Sequence, residues 1–184
     1  MAERQEQAAP DAVMTRIGQV VMLHHAGDRE EARHRFLRLW TEIGEDGDAL
    51  HRCTLAHYMA DTQDDPSDEL AWDLRALGAA EELTDERLAA HGGAPADGDA
   101  PGPGALAVRA LYPSLHLNLA ADYVKLGHAD AARTHLRRAR TAADALADDP
   151  YGEGVRAAIG RLELRLGEDD RPGGGQWRPP RQRP

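Results

Sequence analysis

Gly27 and Gly127 stand 100 residues apart, and the residues that follow them match in order: Ala32 with Ala132, Arg33 with Arg133, Phe36 with Leu136, Arg38 with Arg138. Self-similarity on this scale marks a chain made of small supersecondary units that cannot bury their apolar faces alone and must stack. Each glycine closes one apolar stripe of helical period and precedes another, where a residue at ease in the left-handed C′ position is wanted. The unit is therefore a helical hairpin with a tight turn.

The rest of the chain divides into helix-length pieces at Gly, Pro and Asp. The first hairpin takes Val13, Ile17, Val20, Val21 and Leu23 in one helix and Ala32, Phe36, Leu39 and Ile43 in the next. Asp28, with Glu31 three residues on, predicts a capping box at the second helix. A third helix is expected from about Asp48 to Thr62. A fourth carries Leu70, Trp72, Leu74 and Leu77, with Ser67 as its N-cap. Thr84 to Ala90 reads as one or two further turns. The Gly-, Pro-, Ala- and Asp-rich stretch 92–104 can bury almost nothing and is expected to be a mobile loop. Leu115, Leu119, Tyr123 and Leu126 then form a stripe after Pro113, which either kinks a helix or opens one. Two more helices carry Ala132, Leu136, Ala139, Ala143 and Leu146, then Val155, Ile159, Leu162 and Leu166. Strand patterning is missing, and the fold class expected is all-α, with 1–10 a flexible lead, 11–167 one helical domain and 168–184 a disordered basic tail.

In the later copy, His116, Leu119, Ala120, Tyr123, Gly127, Ala132, Leu136 and Ala139 fall at the spacing of large, Leu, small, Tyr, Gly, Ala, aromatic and Ala that marks a tetratricopeptide repeat, and the 100-residue offset is close to three periods of about 34. Asp61 to Leu77 reads as a degenerate middle copy. The chain resembles this family over roughly Thr15 to Ala147, departing at the closing proline, which is Gly44 in one copy and Asp144 in the other. The resemblance implies a short right-handed stack of antiparallel hairpins with the last helix as cap, binding a protein or peptide without catalysis. It also implies a groove lined by the first helix of each hairpin: Ile17, Val21 and His24, then Arg52, Leu55 and Met59, then Leu117, Asn118, Ala121 and Lys125. Arg52 and Lys125 there could meet a ligand carboxylate.

The net charge of -10 argues against nucleic acid as a ligand of the folded body, because binding a phosphate backbone needs clustered positive potential. The four arginines between Arg171 and Pro184 are offset there by no acid, so the rest of the chain is more acidic still. A single cysteine, a polar N-terminus and no apolar run of bilayer length lead to the expectation of a cytoplasmic protein with no membrane partner.

Chemistry finds little purchase. His51, Cys53 and His57 could contribute to a metal- or small-molecule-responsive site, but His51 points about 200° away from Cys53 around a helix, so further ligands such as His24, His25 or His91 are needed. Ser67 and Ser114, the only serines, lie in no nucleophile elbow. Phosphate-cradling motifs are lacking, and Asp46-Gly47-Asp48 and Asp97-Gly98-Asp99 do not continue into a calcium loop. No cofactor is expected, and a second copy of the chain is the remaining alternative partner.

Overall fold

The computed structural model describes the backbone of residues 2–90 and 103–169 and the side chains of 12–84 and 110–167. Seven helices follow in chain order: α1 (Ala2–His25), α2 (Arg29–Ile43), α3 (Ala49–Ala60), α4 (Pro66–Ala90), α5 (Pro103–Lys125), α6 (Ala129–Ala143) and α7 (Pro150–Asp169). No strand occurs among the described residues, so the protein is all-helical there. The expected loop over 92–104 lies outside them except for Pro103 and Gly104, which already open α5, and so does the tail from 170 onward. α1 begins well before Asp11, where the apolar period starts, and Thr84 to Ala90 belongs to α4.

The two matched glycines make the same turn. Gly27 has φ +96° and Gly127 φ +78°. Asp28 N–H donates to Leu23 C=O at 3.3 Å and Gly27 N–H to His24 C=O at 2.9 Å; His128 donates to Tyr123 at 2.8 Å and Gly127 to Val124 at 3.1 Å. These are two Schellman motifs, which satisfy the orphan carbonyls of α1 and α5 and turn the chain back at once. The residue that follows is also alike, with φ -88°, ψ 66° at Asp28 and φ -95°, ψ 67° at His128.

That geometry corrects the expected capping box. A capping side chain works from an extended N-cap backbone, and ψ 66° at Asp28 is not extended; its carboxylate caps nothing, and Glu31 pairs with Arg35 instead. Asp48, at φ -50° and ψ 125°, does cap α3, accepting from His51 N–H at 3.0 Å. At α4 the cap falls to Asp65, whose Oδ1 accepts from Ser67 N–H at 2.7 Å, so Ser67 lies one turn position inside the helix. Pro113 sits within α5, neither ending nor opening it.

Packing follows chain order. α1 lies on α2 and α3, α2 on α3, α3 on α4 and α5, α4 on α5, α5 on α6 and α7, and α6 on α7. Among the described residues neither helix of the first hairpin approaches the backbone of α5, α6 or α7. Large side chains fill the first part of the core: Ile17, Val20, Phe36, Leu39, Leu55 and Met59. Alanines dominate the middle, around Cys53 and Leu115, and recur in α6, where Ala132, Ala139 and Ala143 let α5 and α7 come close. Trp40 and Trp72 meet edge to face, 5.1 Å between centroids, joining the first cluster to the second.

Candidate functional site

The expected groove residues do not share one surface. Ile17, Leu55 and Met59 are 1%, 0% and 0% exposed and pack against Phe36 and Leu39, so they have no surface left for a ligand. The reason is stacking: α3 is covered by α1 on one side and by α4 and α5 on the other, which closes over positions that an open repeat would leave free. Arg52 is mostly buried and committed, its guanidinium donating to Gly47 C=O at 2.9 Å and pairing with Glu82, which holds that carboxyl below the usual range. Val21, His24, Leu117, Asn118 and Ala121 remain half-buried, and Lys125 is exposed.

Side chains of α1, α3, α5 and α7 are linked pairwise by electrostatics and hydrogen bonds. His24 of α1 is within electrostatic reach of Asp61 at the end of α3. Asn118 Nδ2 of α5 lies 3.5 Å from His57 Nδ1 of α3. Tyr58 of α3 senses Tyr151 of α7, and the Tyr151 hydroxyl hydrogen-bonds Ser114 at 2.7 Å and donates to Ala110 C=O at 3.1 Å. The linked residues are Tyr, His, Asn and Asp side chains with few charges of their own.

Between α4 and α5 is a polar seam. Asp73 and Asp122 are both 0% exposed, surrounded by core residues of α3, α4 and α5. Lys125 Nζ donates to Asp122 Oδ1 at 3.2 Å and to Glu69, which lies at the surface end of the seam. Both Asp73 oxygens and Asp122 Oδ2 find no donor among the described residues. His57 Nδ1 is 3.7 Å from Asp73 Oδ1, too far for a hydrogen bond. Two facing carboxylates in such a place cannot both ionise cheaply. Burial above all, then the negative charges of Asp73 and Glu69, push the Asp122 carboxyl up to about 8 against the pull of Lys125. At neutral pH Asp122 therefore keeps its proton beside Asp73, which makes a donor where there was none.

The residues suggested for metal binding are differently placed. Cys53 is fully buried among Ala56, Ala76, Ala79 and Leu115, and burial pushes its thiol up to about 12, which leaves it unreactive. His51 is buried 3.8 Å from Asp48. Among the described residues no three His, Cys, Asp or Glu side chains gather to hold a metal ion. His91 lies outside those residues.

Neither a protein-family model, nor a curated protein, nor a solved structure matches this chain significantly. Among the described residues no helix is long and apolar enough to cross a membrane.

Asp73, Asp122, Glu69, Tyr58 and Tyr151 belong neither to the expected groove nor to the expected metal cluster. The two aspartates had a signal there: each is an acid placed three residues from core positions, Asp73 between Leu70 and Ala76 and Asp122 after Leu119, where helical period demands an apolar side chain.

Proposed function

We propose that the protein is a tetratricopeptide-like adaptor, a right-handed stack of three helical hairpins capped by α7, which binds a peptide segment of a partner protein and catalyses nothing. One observation carries the reading. The Schellman turn recurs at Gly27 and Gly127 with the same hydrogen bonds, and each hairpin packs on its neighbour in the chain, which is the pattern of a repeat stack. The face formed by His24, Tyr58, Asn118 and Tyr151 suits a peptide: aromatic rings give contact area at little entropic cost, and an amide can pair with an extended backbone.

The test is selection from a random peptide library displayed on phage, against wild type, Asn118→Trp and Tyr151→Ala, with thermal melts of each. A consensus that binds wild type and loses at least tenfold in affinity to either variant of unchanged melting temperature supports the adaptor. Failure to enrich any sequence, or equal binding to all three proteins, overturns it.

A further inference from the structure

We infer that the seam at Asp73 and Asp122 binds the cationic side chain of a basic peptide, which enters beside Lys125. The inference takes the kind of partner, a peptide, from the adaptor reading; the charge of that partner comes from the seam.

Three observations lead there. The first is unmet hydrogen-bonding capacity: Asp73 is 0% exposed with no donor to either oxygen among the described residues, and the single proton of Asp122 can satisfy only one of them. A lysine ammonium brings three donors and an arginine guanidinium five, and bonds from such cations to carboxylates are the strong ones. The second is charge. The groups that face the pair are Glu69 of α4, His57 and Asp61 of α3, Lys125 of α5 itself and, through Asp61, His24 of α1. α6 meets α5 elsewhere, with His135 against His116 and Tyr123. Four carboxyls thus stand against one lysine, and the chain as a whole is acidic at -10. The third is access. The Lys125 and Glu69 side chains are 40% and 20% exposed, so the seam reaches solvent where they meet, next to the face that carries His57 and Asn118.

The same contacts argue against an anionic ligand. Arg52 and Lys125, the two cations expected to receive a carboxylate, are already neutralised by Glu82 and by Glu69 with Asp122.

A cation seated at the pair favours its doubly ionised form, so binding and deprotonation are linked. The probe is an acetylated, amidated peptide of alternating Lys and Gly, with a Glu-Gly peptide as control, titrated calorimetrically into the full chain at several pH values and in two buffers of different ionisation heat. The Lys-Gly peptide is expected to bind with up to tenfold gain in affinity per pH unit between about 6 and about 8, releasing close to one proton, and the Glu-Gly peptide not to bind. Asp122→Asn should weaken binding at least tenfold and abolish proton release. Glu69→Gln, at the rim and outside the pair, should weaken binding about threefold and keep the release; it serves alone if Asp122→Asn does not fold. No binding of the Lys-Gly peptide, binding without proton release, or affinity untouched by these substitutions overturns the inference. A phage consensus that depends on Asn118 while the Lys-Gly titration is silent removes the seam and leaves the adaptor. Proton-linked Lys-Gly binding with no phage consensus removes the adaptor and leaves the seam.

Discussion

The two joints between successive hairpins are built on opposite principles. Where the first hairpin meets the second, Ile17, Phe36, Leu55 and Met59 close a dry interface, Trp40 meets Trp72, and Arg29 and Arg33 of α2 reach across to the turn after α3, Arg29 pairing with Asp64 at 2.7 Å and Arg33 with the same carboxylate at 3.2 Å. Where the second hairpin meets the third, alanines and Leu115 share the interface with two buried aspartates, His57, Asn118 and Lys125. The first joint is held by apolar area, with ion pairs only at its edge. The second carries buried ionisable groups, whose stability depends on how many protons they hold.

The comparison can be broken most severely at the dry joint. Phe36→Ala removes a fully buried ring from the first cluster and should cost about 3–5 kcal/mol in urea denaturation at any pH from 5 to 8. Sharper is the pH dependence of the wild type. Asp122 holds its proton up to about 8 in the folded chain against 3.8 as its ordinary value, so the stability it contributes is full at low pH and is lost as pH rises through that interval, at no more than about 1.4 kcal/mol per pH unit. His116 behaves oppositely. Burial first, then His135 and Arg138, depress it to about 4 from 6.5, so its contribution is full above 6.5 and is lost as pH falls toward 4. Melting temperature followed against pH should therefore be nearly flat between about 4.5 and about 6.5, where the slopes oppose, and decline from about 6.5 to about 8. Asp122→Asn should erase the upper decline and His116→Phe should remove the opposing slope, so that stability falls across the whole range; two unchanged profiles would show that neither group is perturbed as described. The smallest effect is expected for Arg33→Ala, roughly 0.5–1 kcal/mol and partly screened by salt, with faster hydrogen exchange in the turn that holds Thr62 and Gln63.

The all-helical class and the two glycine turns were legible in the sequence because both depend on local physics: period, and the freedom of Gly27 and Gly127 at positive φ. Caps were read less well. Asp28 has the right chemistry for one, but its backbone is set by the turn before it, and Pro66 moves the start of α4 ahead of Ser67. The groove failed at Ile17, Leu55 and Met59 because carrying positions over from a family pattern says which helix a residue is on, while exposure depends on how tightly neighbours close, and alanine-rich helices close tightly. The buried acids are hard to read from period alone, because a helical stripe is defined by its apolar positions, although an acid at a core position is the rarer signal.

The strictly sequential packing has a mechanical consequence. With no backbone contact among the described residues between the first hairpin and α5, α6 or α7, tension applied between residue 12 and residue 167 has to pass through every joint in series. A series of links yields at the weakest, and here the weakest is set by acidity: alkaline solution charges Asp122 beside Asp73 and loosens the later joint while leaving the earlier one as it was. In an optical trap the rupture should therefore divide the molecule between α4 and α5, at a force that drops as the bath is made more basic.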